Sequence, residues 1–350
     1  MNQHEPFMQR CFSLASKGLG MVAPNPIVGA VIVHEGKIIA DGHHYVYGGP
    51  HAEVVAIRNV LFEEMELLPH STLYVNLEPC SHFGKTPPCT NLILEHNIPR
   101  VVISCIDTNE KVAGKGVEKL QQAGVEVTTG VLEKEGRLLN RRFFTCTEKK
   151  RPYIILKWAQ TADGYIDKER TENTPHQNKI SGEPALKMVH QWRTEEAAIL
   201  VGKNTILNDN PLLTAREQPG RQPLRVVIDK NLEISPLFNV FNPDAKTLVF
   251  NAVKDQQMGQ VSFKKIDFTD PLAEILSALY DMEIQSVMVE GGRFTLDRFI
   301  EHDLWDEVRV LTNKKLFYKG LKAPVFNVIP AAVTKAGEDM LSVYYNKLLK

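Results

Sequence analysis

The tripeptide His51-Ala52-Glu53 and the segment from Cys80 to Cys89 (CSHFGKTPPC) constrain this chain more than any other feature. A histidine, a carboxylate and two thiols in this order are the donor set of a catalytic metal site, and the fold must bring their separate segments together. Zinc favours nitrogen and sulfur, and a catalytic site takes three protein ligands and leaves a fourth position for water. His51, Cys80 and Cys89 make that count. Residues two apart in mid-helix point about 160° apart, so His51 and Glu53 can share one site only where a helix begins. Pro50, directly before His51, fits a helix start. Pro79 and Pro88 precede the two cysteines and stiffen the backbone that presents both sulfurs.

A closed structural zinc site is the alternative, with His82, His43 or His44 as a fourth ligand. The order H-A-E, then a strand, then P-C resembles the pattern of zinc-dependent nucleobase deaminases and favours the catalytic reading. Glu53 is then the proton shuttle between water activated by the metal and the ring nitrogen and leaving amine.

Around these residues the pattern alternates between strands and helices. Glu5 to Lys17 has helical apolar spacing and ends at Gly18 and Gly20; Ile27 to Val33 and Lys37 to Ala40 flank a His34-Glu35-Gly36 turn. His51 to Leu61, Cys89 to His96 and Gly116 to Ala123 read as helices, and Thr72 to Leu77, Val101 to Ile106 and Val125 to Thr129 as strands. The expectation is an α/β layer with a largely parallel sheet made mixed by its opening hairpin, with both motifs at strand-to-helix junctions, where ligand crevices form.

Asn25-Pro26-Ile27-Val28-Gly29, His51-Ala52-Glu53 and the PCSHFGKTPPC loop resemble the deaminase domain of the RibD family of bifunctional riboflavin-biosynthesis proteins. Cytidine-type deaminases place two residues between the cysteines; here eight intervene, Ser81 to Pro88, as in the RibD family. The resemblance implies removal of the 2-amino group from 2,5-diamino-6-ribosylamino-4(3H)-pyrimidinone 5′-phosphate. Such a ribotide needs a cation for its phosphate and polar groups for its ring and ribose. Asn25, His44, His82 and Lys85 are the candidates to bind it.

Leu132 to Lys150 is helix-like, and its closing charge cluster, ended by Pro152, marks a boundary near residue 148. Domains of 1–148 and 149–350 are expected. In the second, Tyr153 to Trp158, Ala198 to Val201, Leu224 to Asp229, Thr247 to Phe250 and Ser286 to Glu290 read as strands; Gly182 to Arg193 and Pro271 to Leu279 read as helices. Lys168 to Asn178 is polar and lacks apolar periodicity, which predicts a mobile loop. Val287 to Thr295 reads as strand, two glycines, then helix, a turn that can bring a phosphate to backbone N–H groups. No G-x-G-x-x-G follows a predicted strand.

Leu156-Lys157, Ala162-Asp163-Gly164, Gly202 to Thr205, Asp209 to Arg216 and Glu290-Gly291-Gly292 resemble the reductase domain of the same family, whose fold is similar to dihydrofolate reductase. The resemblance implies that NADPH reduces the ribose of the deaminated product to ribitol. It assigns Ala159, Thr205, Asp209, Gly292, Arg293, Phe294 and Thr295 to the nucleotide, and Arg193, Leu213, Arg216 and Glu290 to the substrate. Lys157 is expected to orient the ribose or to supply a proton as hydride adds at its opened C1. The fold expected is a cytidine-deaminase-like three-layer domain with a mixed sheet, then a dihydrofolate-reductase-like α/β domain.

With 350 residues the chain exceeds one domain of about 150. Its 43% hydrophobic and 24% charged residues are those of a globular protein, and no stretch approaches the roughly 20 apolar residues of a membrane span. Forty-one basic against 42 acidic residues offer no global attraction to a polyanion, which argues against nucleic acid. Met1 to Arg10 lacks a secretory apolar core, so a cytoplasmic enzyme with reduced cysteines and no membrane partner is expected. A homo-oligomer is expected as well. Two other readings stand beside this one: a deaminase of a free nucleoside or tRNA base with a non-catalytic second domain, and a zinc-stabilised binding module.

Overall fold

The computed structural model describes residues 3–83, 87–109, 113–170, 175–216, 218–325 and 327–346. Residues Met1–Lys149 and Lys150–Lys350 form two compact units. In the first, the chain runs through α1 (Glu5–Ser16), β1 (Gly29–His34), β2 (Lys37–His43), α2 (Ala52–Arg58), a 3-10 stretch at Phe62–His70, β3 (Thr72–Leu77), α3 (Cys89–Glu95), β4 (Arg100–Cys105), α4 (Lys115–Gln122), β5 (Glu126–Thr128), α5 (Glu133–Leu139) and α6 (Arg141–Lys149).

Its sheet has the order β2-β1-β3-β4-β5. β1 is antiparallel to both β2 and β3, whereas β3, β4 and β5 are parallel, so the sheet is mixed. α2, α3 and α4 cover one face around Ala30, Ile32, Val75 and Ile103; α1 covers the other around Val31, Tyr74 and Val102. This is a three-layer α/β unit. Both faces of β3 are covered, which is why Leu73 to Leu77 are all buried and carry little period-two signal.

The segment Leu132 to Lys150 forms two helices where one helix-like run is expected. The break falls at Asn140, whose side chain accepts the Ile27 N–H (2.9 Å) and donates to the Ile27 carbonyl (2.9 Å). Buried there, it fills both backbone groups of a residue 113 positions away.

The second unit contains β6 (Tyr153–Thr161), β7 (Tyr165–Lys168), α7 (Glu183–Glu195), β8 (Ala198–Gly202), α8 (Lys203–Asp209), β9 (Leu224–Ile228), β10 (Thr247–Asn251), β11 (Gln256–Met258), β12 (Val261–Lys265), α9 (Pro271–Asp281), β13 (Ser286–Gly291), α10 (Arg293–Glu301), β14 (Glu307–Asn313), β15 (Gly320–Lys322), β16 (Ala332–Ala336) and β17 (Asp339–Tyr345). Ten strands form one sheet in the order β11-β12-β10-β9-β8-β13-β6-β14-β17-β16, and β7 pairs with β15 apart from it. The strands from β12 to β14 run parallel, with antiparallel strands at each edge. α9 and α10 pack on one face and α7 and α8 on the other. The carboxyl ends of β6, β8, β9 and β13 therefore meet at one rim, where such sheets bind ligands.

Candidate active sites

His51 is the residue from which α2 starts: its backbone is extended (φ −71°, ψ 161°), and the helix runs from Ala52. Its ring therefore projects beyond the helix end. Glu53, in the first turn and buried, interacts with His51, Cys80 and Cys89. Cys80 follows β3 and Cys89 opens α3. His51 Nδ1 lies 3.6 Å from Cys80 Sγ and 3.3 Å from Cys89 Sγ, and the three donor atoms are within 4.8 Å of one another.

A tetrahedral zinc with bonds of about 2.1 Å to nitrogen and 2.3 Å to sulfur sets its ligands about 3.6 Å apart, so the donor set fits that metal. Among the described residues no fourth His, Cys, Asp or Glu completes the group, which leaves the open coordination of a catalytic site. The Cys89 N–H donates to Cys80 Sγ (3.3 Å) and the Thr90 N–H to the Cys80 carbonyl (3.2 Å), so the two cysteines are joined directly.

The hydrogen bond from Cys89 above all, with His51, lowers the Cys80 thiol against the effect of burial. That same bond and burial push the Cys89 thiol well up. The hydrogen bond to Cys80 raises His51 to about 8. Bound metal displaces such protons from its ligands. Burial, reinforced by the Cys80 charge, raises the Glu53 carboxyl above its usual range.

His44 is buried and donates from Nδ1 to the Pro50 carbonyl (2.8 Å). Its Nε2 then accepts from Asn25 Nδ2 (3.0 Å), which fixes a neutral ring, and burial lowers its pKa accordingly. Its ring meets that of His51 edge-on at 5.7 Å between centroids. Asn25 and His44 thus form one polar pair next to the metal ligand. His82 is exposed and stands outside the ligand group. Lys85 lies outside the described residues.

Two acidic residues at this site escape a reading of the sequence. Glu78, buried between β3 and Cys80, accepts the backbone N–H groups of Asp107 (3.1 Å), Gly114 (3.0 Å), Gly116 (2.8 Å) and Val117 (3.2 Å). It pins the start of α4 to the segment leading into Cys80. The approach is so close that a Cβ on Gly116 would stand 2.2 Å from the Pro79 carbonyl oxygen. Asp107, just past β4, is raised to about 6, chiefly by burial. Their position at the carboxyl ends of adjacent parallel strands is the signal that could have found them.

In the second unit, Lys157 on β6, Glu290 on β13 and Arg193 on α7 converge. Arg193 Nε and Nη2 donate to the two Glu290 carboxylate oxygens at 2.7 and 2.8 Å, and Lys157 Nζ lies 3.6 Å from Oε2. Arg193 Nη1 donates to the Thr214 carbonyl (3.0 Å). Burial pushes Glu290 up, but Arg193 and Lys157 outweigh it and hold the carboxyl at about 2. Burial lowers Lys157, with Glu290 opposing.

This triad lines a cavity of about 1620 Å³ together with Ala159, Thr205, Asp209, Leu213, Gly292, Arg293, Phe294 and Thr295. One ligand takes roughly 300–1,000 Å³, so two fit. Gly291 has φ 141°, a conformation that favours glycine, and a cis peptide links it to Gly292; added Cβ atoms on these glycines would stand 3.5 and 3.2 Å from Thr205 Oγ1. The Arg293 guanidinium is turned to Asp297 and to the carbonyls of Lys322 and Ala323. Arg216 is placed elsewhere. It is exposed and absent from the cavity wall, and its backbone N–H donates to His190 Nδ1 (3.2 Å).

Comparison with known proteins bears on both units. Residues 1–105 match the cytidine and deoxycytidylate deaminase zinc-binding region, and residues 152–318 match the RibD C-terminal domain. The riboflavin biosynthesis protein RibD of Aquifex aeolicus is 42% identical over 321 residues, covering 90% of this chain and 88% of that protein. RibD of Escherichia coli K12 is 33% identical over 333 residues, covering 90% and 88%. Among solved structures, the diaminohydroxyphosphoribosylaminopyrimidine deaminase/5-amino-6-(5-phosphoribosylamino)uracil reductase of Thermotoga maritima superposes with a TM-score of 0.89 at 39% identity, covering 98% of each chain. RibD of Acinetobacter baumannii gives 0.88 at 29% identity, again covering 98% of each.

Proposed function

The chain belongs to the RibD family of riboflavin biosynthesis proteins, and on that premise we propose how its residues divide two consecutive reactions. It is a bifunctional enzyme, a zinc-dependent deaminase of the diamino ribotide joined to an NADPH-dependent reductase of the ribosyl group. Residues 1–148 carry the deamination and 149–350 the reduction.

His51, Cys80 and Cys89 would hold the zinc, which when bound would supply a water acidic enough to attack at neutral pH. Glu53 would take one proton from the attacking water and deliver it to the ring nitrogen, then take the proton of the new C2 hydroxyl and deliver it to the departing amine, so that C2 keeps a carbonyl oxygen, the ring nitrogen keeps its hydrogen and ammonia leaves. The pair Asn25 and His44 presents hydrogen-bonding groups to ring or ribose. His82 and Lys85 supply cationic or polar contacts from the inter-cysteine loop for the phosphate end.

In the second unit NADPH, when bound, would supply the hydride for C1 of the opened ribose. Ala159, Thr205, Asp209 and the turn from Gly292 to Thr295 bind the nucleotide, with the N-terminus of α10 facing its phosphates. Arg193, Leu213 and Glu290 line the substrate side. Lys157 supplies the proton that balances the hydride, and Glu290 holds Lys157 protonated until it is used.

The observation that carries this reading is the open His51–Cys80–Cys89 group with a buried carboxyl against it. The alternative of a non-catalytic second unit is disfavoured by the cavity holding Lys157, Arg193 and Glu290. Among the described residues no helix is long and apolar enough to cross a membrane. We place the enzyme in the cytoplasm as a homo-oligomer acting on small molecules, with no nucleic-acid or membrane partner.

The test gives purified, zinc-loaded protein the diamino ribotide with and without NADPH. Ammonia release is expected in both cases and NADPH oxidation after it. Glu53→Gln should cut ammonia release by at least about a hundredfold while zinc content and oxidation of NADPH on the deaminated product persist. Full ammonia release from this variant would remove Glu53 from its role.

A further inference from the structure

Asp209, at the C-terminal end of α8, stands in the cavity wall on the side assigned above to the nucleotide. Asp167, at β7, lines the same wall. Two neighbouring carboxylates would repel a ligand that carries several phosphate charges. Between them lies Arg170. Its Nη2 donates to Asp209 Oδ1 (2.6 Å) and its Nε to Asp167 Oδ2 (2.7 Å). Its Nη1 donates to the carbonyls of His176 (3.0 Å) and Asn208 (2.8 Å). The guanidinium thus makes four hydrogen bonds, and its side chain is only 17% exposed.

The surrounding backbone holds this arrangement in place. The His176 N–H donates to the Asn208 carbonyl (2.9 Å), and Gln177 Nε2 to the Asp209 carbonyl (3.3 Å). Asn178 Nδ2 donates to Asp167 Oδ1 (2.5 Å). Among the described residues nothing donates to Asp209 Oδ2, which remains an acceptor for a ligand.

We infer that Arg170 is a positioning residue of the reductase, offsetting the Asp209 charge so that this carboxylate accepts a hydrogen bond from the nicotinamide nucleotide without repelling its phosphates. The inference rests on the reading that Asp209 touches the nucleotide. The cation stands behind the carboxylate, not in the path of the reaction. Its removal changes how well NADPH binds and leaves hydride transfer from bound NADPH as it was.

The experiment uses the full chain and measures reductase kinetics on the deaminated ribotide with NADPH varied. Arg170→Ala should raise the KM for NADPH about tenfold, keep kcat within about twofold, and show a KM rise that shrinks as salt is added. Ammonia release from the diamino ribotide, read in the same preparation, reports that the chain is folded. Arg170→Lys should recover most of the affinity. In an Asp209→Asn background the Arg170→Ala change should cost little, because the charge it offsets is gone.

A KM for Arg170→Ala within about twofold of the parent overturns the inference, and so does an equal, salt-insensitive rise in both backgrounds, which would mark Arg170 as a loop fastener only. Asp209→Asn alone tests the underlying reading: an unchanged NADPH KM there removes Asp209 from the nucleotide site, and the inference falls with it. A raised KM for Asp209→Asn beside a neutral Arg170→Ala overturns the inference while that reading stands.

Discussion

Glu290 faces two buried cations, Lys157 and Arg193, and neutralising it isosterically is the sharpest test of the reductase site. The side chains of Glu290, Lys157 and Arg193 are 7%, 13% and 11% exposed. At the 3.6 Å separating Lys157 Nζ from Glu290, one pair of unit charges is worth about 4 kcal/mol at an effective dielectric constant near 20. Breaking a buried pair costs roughly 3–5 kcal/mol, because the stranded charges stay desolvated. Glu290→Gln should therefore destabilise the second unit by about that amount, lowering its melting temperature by roughly 10 °C in calorimetry.

The chemistry should shift too. With Glu290 neutral, burial of Lys157 is unopposed and its pKa falls further, so the limb of the reductase pH profile that needs the ammonium moves to lower pH. Linkage gives the sign for stability. The Glu290 carboxyl is depressed to about 2 in the fold, so its contribution is complete above the ordinary carboxylate range and is lost as pH falls towards about 2. The variant should therefore lose most stability at neutral pH and little near pH 2. Ammonia release from the first unit should be unchanged. An unaltered melting temperature together with an unaltered pH profile would refute the reasoning, since it would mean the two cations do not depend on Glu290.

Chelation of zinc should abolish ammonia release and spare NADPH oxidation on the deaminated product, with re-addition of zinc restoring the former; persistent deamination in metal-free protein would count against the ligand set. Asn140→Ala strips the Ile27 N–H of its partner and leaves the Ile27 carbonyl only the Asn76 amide, so it should cost roughly 1–3 kcal/mol in denaturant unfolding of the first unit. Gly116→Ala forces the backbone away from Pro79 and should lower zinc occupancy, measured by metal analysis, with secondary structure retained.

Much of the first unit is written locally. β3 occupies the residues its apolar run predicts, and His51 takes the helix-start position that its sharing of a site with Glu53 demands. The metal ligands are legible because donor chemistry allows few residue types at few spacings. What the sequence hides is long-range polar satisfaction. Nothing near Asn140 announces that it will bind Ile27 and split a helix, and nothing near Glu78 announces four backbone donors from the start of α4.

The second unit hides more. β14 carries Glu307 and Arg309 inside the fold, where they pair with each other at 2.6 Å and Arg309 also reaches Glu196. Buried charges obscure the apolar pattern by which a strand is read. β17 and β16 extend that edge; β16 is largely exposed and β17 mostly half-buried, so neither shows a clear inward face. α8 and the short β7, β11, β12 and β15 are likewise unannounced. Arg216 falls outside the cavity wall because the chain around it turns the side chain to the surface beside His190, which spacing along the sequence does not encode.

The hydrogen bonds that join Cys80 to Cys89 and Thr90 have a consequence for how this enzyme can vary. They close the base of the eight-residue loop, so the sulfurs are held by the body of the fold and not by the excursion between them. A loop anchored at its base in this way can change length or composition without moving its ends. Metal retention thereby depends on residues outside the loop, so substitutions between the two cysteines are expected to leave the zinc site in place.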